Sequence, residues 1–363
     1  MRDCIRVQRV IVMNSDFALF FVFLGVLLFF CVYFVLKHYI RYAEVHKMFA
    51  HPVARSSHTK SIPTGGGVVF GLLHIIFLMI AICGIDNVII VESIIKICFG
   101  GFLILILGAL DDKYFLRARY KLFIQIVVAL IMVMLGFQIT YITNPFGVPI
   151  SLNFFSIPMT VLWYLFVMNA INMIDGLDGL AAGIAIITCL VLMIFSYNNR
   201  DFFVFLSCAF LVASLLAFLK YNFSPAKLFM GDSGSLFIGF ILASLAIAGN
   251  EAQFKGLATF TLLVPTTVIL IPLGDTIFTV IRRIKNKQHI FTADKEHIHH
   301  KLINFGFSQK TVTLICWFIT FILGLISLGY MFIGKQAMML VLFIVGLLMT
   351  GLFFYIYKKE LFK

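Results

Sequence analysis

Residues 202–249 read FFVFLSCAFLVASLLAFLKYNFSPAKLFMGDSGSLFIGFILASLAIAG. Two apolar runs, 202–219 and 233–249, flank a short segment that carries Lys220, Asn222, Lys227 and Asp232. A helix that crosses a bilayer needs about 20 mostly apolar residues, so this stretch reads as two spans joined by a polar turn. Working outward, the same grammar repeats at 17–36, 66–83, 94–110, 122–141, 156–171, 179–196, 257–281, 312–333 and 336–357. With the two quoted runs this predicts eleven spans.

Composition agrees. The 363 residues are 62% hydrophobic and only 12% charged, with a mean hydropathy of +1.06. Soluble domains lie near 45–50% apolar and about 25% charged. A secreted enzyme, a nucleic-acid-binding domain and a disordered chain are excluded, and an all-α polytopic membrane protein is expected. No repeat or linker interrupts residues 1–363, so the chain reads as a single domain. Residues 1–16 form a tail ahead of the first span, and Met13 is an alternative start. The seven cysteines form no C-x-x-C pair and read as small core residues.

The net charge of +12 is distributed by side. Basic residues favour the segments 37–60, 113–121, 220–227, 282–310 and 358–363 over the opposite connectors by about three to one. The positive-inside rule then puts those segments and the C-terminus in the cytoplasm and the N-terminus outside.

Polar residues are scarce, so their clustering carries information. Five segments on the predicted cytoplasmic side are rich in ionisable or small polar residues: RSSHTKSIPTGGG (55–67), DDKYFLRARYK (111–121), NAINMIDGLDGL (169–180), NFSPAKLFMGDSGSL (222–236) and DKEHIHHK (294–301). A charge at the bilayer centre costs at least about 2.5–3.5 kcal/mol, which predicts that these residues line one cavity at the span ends. The adjacent Asp111 and Asp112 repel each other and call for a cation, most economically Mg²⁺ with phosphate. Read alone, the pair could equally just end a helix at the interface. Position 115 is Phe, which departs from a DDxxD diphosphate box. Asn172, Asp175 and Asp178 recur every third residue beside Gly176 and Gly179, a pattern suited to metal oxygens or to nucleoside N–H and hydroxyl groups. Asp232 stands in a Gly/Ser-rich approach to a helix, suited to a metal-bridged phosphate or to simple capping. His297, His299 and His300 lie among lysines with no cysteine nearby, so phosphate or sugar donors fit them better than zinc ligands do. Pro265 and Pro272 are expected to bend the ninth span and carry that loop over the cavity.

Taken in order, these segments resemble the polyprenyl-phosphate N-acetylhexosamine-1-phosphate transferase family (glycosyltransferase family 4) from about Ser56 to Gly306. The resemblance implies a bundle of ten or eleven helices with a cytoplasmic-face active site in the bacterial inner membrane. It implies transfer of a sugar 1-phosphate from a UDP-N-acetylhexosamine to undecaprenyl phosphate with release of UMP. It further implies Mg²⁺, with Mn²⁺ as an alternative ion, and either a monomer or a homodimer. Asp111, Asp112, Asp175, Asp178, Asp232, His299 and His300 are similar to the family's catalytic positions, with Asp232 and Asp112 at the metal. Lys60, Lys121, Asn172, Asn222 and His297 are similar to its substrate-binding positions. The segment DKEHIHHK is similar to the branch typified by WecA and TagO, which uses UDP-GlcNAc to begin O-antigen, common antigen or teichoic acid. UDP-MurNAc-pentapeptide and other N-acetylated sugars are the alternative donors. Direct attack of the acceptor phosphate is the favoured route, against a covalent aspartyl route. An intramembrane prenyltransferase and an ion-coupled transporter are the competing readings.

Overall fold

A computed structural model describes residues 15–46, 49, 62–142, 150–251 and 306–333, together with positions 270, 274, 277, 302–303, 336–337, 340–341, 343–348 and 350–351. Lys60, His297, His299, His300 and most of the ninth expected span lie outside the described residues.

Nine helices account for most of what is described: α1 (Ser15–Val45), α2 (Gly66–Ala81), α3 (Val88–Tyr114), α4 (Ala118–Met134), α5 (Ser156–Ile174), α6 (Leu180–Asn198), α7 (Phe202–Asn222), α8 (Gly231–Glu251) and α9 (Gln309–Leu328). Among the described residues, eight helices are long and apolar enough to cross a membrane. The protein is an all-α, multi-pass membrane protein. α4, at 17 residues, is the exception, whereas α2 reaches span length with the 3-10 turn Ile82–Gly84 that continues it. The apolar run of α4 was expected to continue to 141, but Gly136 adopts a φ of 97° and ends it. The chain then forms a small antiparallel hairpin, β1 (Tyr141–Ile142) with β2 (Ile150–Ser151).

Two helix starts at one end of the bundle carry a local side-chain cap: Asn87 accepts from the amides of Ile89 and Ile90 at the start of α3, and Asp201 accepts from Val204 at the start of α7. At the other end α6 follows Gly179 and α8 begins at Gly231, neither of which has a side chain to cap with. Three helices also extend further at this end than their apolar runs suggest. α3 continues through Asp111 and Asp112 before Phe115 ends it in the left-handed region. α5 reaches past Asn172, and α8 takes Asp232 into its first turn.

α8 is the centre of the bundle. Its middle residues Leu236, Phe237, Ile238, Phe240 and Ile241 are fully buried. Two glycines let its backbone come close to α2 and α3: a methyl group at Gly67 would stand 2.1 Å from the Gly234 nitrogen, and one at Gly108 would stand 2.3 Å from the Ser233 Cα. Such small-residue contacts are how membrane helices associate without a hydrophobic driving force. Deeper in the bundle, Trp163 donates to the Ala243 carbonyl at 3.1 Å and Tyr164 pairs with Ser244 at 3.0 Å, joining α5 to α8. The abundant phenylalanines fill the space between, as in the Phe70–Phe218 and Tyr164–Phe240 ring contacts.

This close approach generates a prediction. Gly108→Ala forces α3 away from α8 at the level of Ser233, an overpacking cost of about 1–3 kcal/mol. Detergent-purified variant protein is expected to melt several degrees below wild type in a thermal-shift assay, while Gly346→Ala, where nothing lies within 4 Å, is expected to melt as wild type does.

Candidate active site

Residues 62–67 and the segments 111–121, 169–180 and 222–236 come together at one end of the bundle, and the expected fifth segment, 294–301, lies outside the described residues. The C-terminal ends of α3, α5 and α7 meet the N-terminal ends of α4, α6 and α8 there.

Asp112 faces the start of α8. Its Oδ1 accepts from the Asp232 amide at 2.7 Å, and its Oδ2 accepts from the Ser233 amide at 3.2 Å and the Ser233 hydroxyl at 2.7 Å. It caps α8 from another helix. The first amides of a helix lack intrahelical partners and carry partial positive charge, so a carboxylate is the acceptor that suits them best. Gly231 makes this possible, because at φ 73° it turns the chain into the helix and a Cβ there would lie 2.5 Å from Asp112 Oδ2.

Asp111 points the other way. Its Oδ1 accepts from the Leu116 amide at 2.9 Å, and its Oδ2 pairs with Lys121 Nζ at 2.5 Å. Lys121 also pairs with Asp232, so one ammonium bridges the two carboxylates. Asp232 has 32% of its side-chain surface exposed against 9% for Asp111, so it is the more accessible of the two carboxylates. Asn172 donates to Ser235 Oγ at 2.8 Å, steadying the next turn of α8 beside Asp232.

Asp178 and Asn222 were expected to face substrate, and the structure gives them a positioning part. The Ala226 amide donates to Asp178 Oδ2 at 2.9 Å. Asn222 accepts from the Gly179 amide at 3.0 Å and donates to the Leu228 carbonyl at 2.9 Å. Both are buried, and together they clip the 175–179 turn to the 223–230 loop. Asp175, at the end of α5, keeps some exposed surface. The surrounding protein, then the charges of Asp232, Asp112 and Asp178, push its carboxyl well above the usual carboxylate range.

The donor set can be tested against a divalent ion. Among the described residues no group of three His, Cys, Asp or Glu side chains could hold a metal alone. Asp232 and Asp111 nonetheless offer two hard oxygen donors converging on one cationic atom. Mg²⁺ is commonly held by one or two carboxylates plus substrate phosphates, and the residues fit that arrangement. Asp112, expected at the metal, has both oxygens engaged with α8.

Comparisons with known proteins identify the family. The family described as glycosyl transferase family 4 matches residues 94–250. Over 299 residues, 82% of this chain and 80% of the relative, the sequence is 37% identical to the probable undecaprenyl-phosphate N-acetylglucosaminyl 1-phosphate transferase of Bacillus subtilis. The chain belongs to glycosyl transferase family 4. It is also 32% identical to the decaprenyl-phosphate N-acetylglucosaminephosphotransferase of Mycobacterium leprae, covering 74% of this chain and 73% of that one. A phospho-N-acetylmuramoyl-pentapeptide-transferase of Staphylococcus epidermidis is 33% identical across 75% of this chain and 86% of its own length.

Several residues in this family member's site have no obvious signal in its sequence. Ser233 and Ser235 pass as helix-breaking small residues until their partners Asp112 and Asn172 are seen. Gln125, fully buried one turn below Lys121, accepts from Asn169 at 2.8 Å and ties α4 to α5.

The crowding of carboxylates generates a prediction. A buried acid whose pKa is raised costs native stability as pH climbs above its unfolded value of about 3.9. Asp175→Asn removes that cost, so ligand-free variant protein is expected to melt at the wild-type temperature near pH 4 and above it at pH 7. Thermal-shift curves at the two pH values check this.

Proposed function

We propose that the protein transfers N-acetylglucosamine 1-phosphate from UDP-GlcNAc to undecaprenyl phosphate, releasing UMP and starting a lipid-linked cell-envelope glycan. The observation that carries this reading is the Lys121 ammonium held between Asp111 and Asp232 at one end of the bundle. It is a site built for balancing negative charge, in a chain whose relatives act on polyprenyl phosphates and an N-acetylated sugar phosphate. The positive-inside bias supports a site on the cytoplasmic side of the bacterial cytoplasmic membrane, where nucleotide sugars are found.

In this reaction an oxygen of the lipid phosphate attacks the β-phosphorus of the donor. One phosphoanhydride forms, another breaks, and UMP leaves with the electron pair. Both reactants are anions, so charge neutralisation and alignment dominate the barrier. Mg²⁺ (or Mn²⁺), held by Asp232 with Asp111, would neutralise the diphosphate oxygens. Lys121 would leave its two carboxylates for the phosphates as these arrive. Asp112 keeps the start of α8, and with it Asp232, in register. The second pKa of a phosphate monoester is about 6, so the acceptor is already mostly dianionic at neutral pH and gains little from a general base. That favours an electrostatic part for Asp111 and direct attack by the lipid. Asp175 and the 175–179 turn, with Asn172, would meet the nucleotide, and Lys60, His297, His299 and His300 are proposed as donors to the diphosphate and sugar.

The test is a donor panel with purified protein, undecaprenyl phosphate and Mg²⁺, read by the mass of the lipid product. A HexNAc-phosphate adduct with UDP-GlcNAc and free UMP is the expected result. Pyrophosphate release would instead indicate a prenyltransferase. Asp232→Asn keeps the shape and removes the charge, and is expected to lower UMP release by at least about 10²-fold, the scale of a lost transition-state electrostatic contact.

A further inference from the structure

α9 makes contacts that the reaction above does not use. Two of its residues, Thr313 and Trp317, reach the turn that leads into α6, and a third on the same face, Lys310, reaches the residue that follows α7. The Thr313 hydroxyl, fully buried, donates to the backbone carbonyl of Asp178 at 3.2 Å. Trp317 Nε1 donates to the carbonyl of Leu180 at 3.3 Å. The indole lies in a groove that exists only because residue 183 is glycine, since a Cβ there would fall 1.9 Å from the ring. On its other side the indole meets Phe223 with centroids 5.6 Å apart, and Lys310 stands over that same Phe223 ring at 5.7 Å.

α9 therefore grips both strands of the clip made by Asp178 and Asn222. Thr313 and Trp317 hold the 175–180 side, while Trp317 and Lys310 bear on the 223 side. An ordinary lipid-buried helix contact would bury apolar side chains against each other. Here two side-chain donors are directed at two main-chain carbonyls flanking the Gly179 turn, which fixes backbone position instead of merely filling space. α9 also follows the histidine segment closely in the chain.

We propose that α9 is a clamp on the 175–180 turn, that Thr313 and Trp317 are its positioning residues, and that binding of the uridine nucleotide part of the donor depends on it. The inference rests on the reading that this turn meets the donor nucleotide. Neither residue touches substrate. Each acts through the carbonyl that it holds, so its loss shifts donor affinity, while the lipid acceptor, which this turn is not proposed to meet, is bound as before.

The experiment compares Thr313→Val, Thr313→Ser and Trp317→Phe in the full-length protein in nanodiscs, with KM for UDP-GlcNAc, KM for undecaprenyl phosphate and kcat measured separately. Thr313→Val and Trp317→Phe are expected to raise the donor KM about 3- to 10-fold, the scale of one neutral hydrogen bond. The acceptor KM is expected to stay at the wild-type value, and Thr313→Ser to behave as wild type. Should Trp317→Phe fail to fold, the Thr313 pair decides. Unchanged donor KM in Thr313→Val, an equal rise in both KM values, or failure of serine to rescue would each overturn the clamp. If wild type binds UDP-GlcNAc without transferring sugar phosphate, the reaction reading fails and calorimetric donor affinity in the same variants decides the clamp. Wild-type protein that binds no uridine nucleotide overturns both.

Discussion

The amides of Asp232 and Ser233 at the buried start of α8 must be satisfied, and Asp112 on α3 is the group that satisfies them. Everything around the site follows from that contact. It fixes the height of α8 against α3, it requires glycine at 231 and 108 so that the backbones can meet, and it leaves the Asp232 side chain free to pair with Lys121. An amide group with no acceptor inside a membrane protein costs several kcal/mol, far more than the net worth of an ordinary hydrogen bond, so the register is strongly specified. The neighbouring aspartates thus divide their work. Asp112 builds the frame, and Asp111 joins Asp232 around a cation.

This division also explains why so much negative charge can collect in one place. Asp112 is neutralised by a helix start, Asp111 and Asp232 share Lys121, and Asp178 accepts from the Ala226 amide. The surroundings of Asp175 oppose its charge, through burial and the neighbouring aspartates. The proposed divalent ion, arriving with a diphosphate, would add positive charge to a cluster in that state.

Much of this was legible in the sequence, for physical reasons. Apolar runs of span length have one stable form in lipid, so the helices from 66 to 249 fall close to where hydropathy places them. Charges cannot sit at mid-membrane, so the segments around Asp111, Asp175 and Asp232 had to share span ends. Roles within the cluster were another matter. In so apolar a chain, a polar residue that clips two loops looks the same as one that meets a ligand, which is why Asp178 and Asn222 were expected to face substrate. The partner of Asp112 lies 121 residues away, beyond any local pattern. Trp317 and Thr313 sit in a run that reads simply as apolar helix, and only the empty space over Gly183 shows what the indole is for. The hairpin after α4 was missed because the apolar character continues past the glycine that ends the helix.

The central claim is that Asp112 serves catalysis by capping α8, and amide hydrogen exchange over residues 230–236 tests it most directly. In wild-type protein the Asp232 and Ser233 amides should exchange slowly. In Asp112→Asn, which loses the charge and turns an N–H₂ group toward these donors, they should exchange markedly faster while the middle of α8 stays protected. Slow exchange at both amides in an Asp112→Asn protein that has lost activity would contradict the account and return Asp112 to direct contact with metal or substrate.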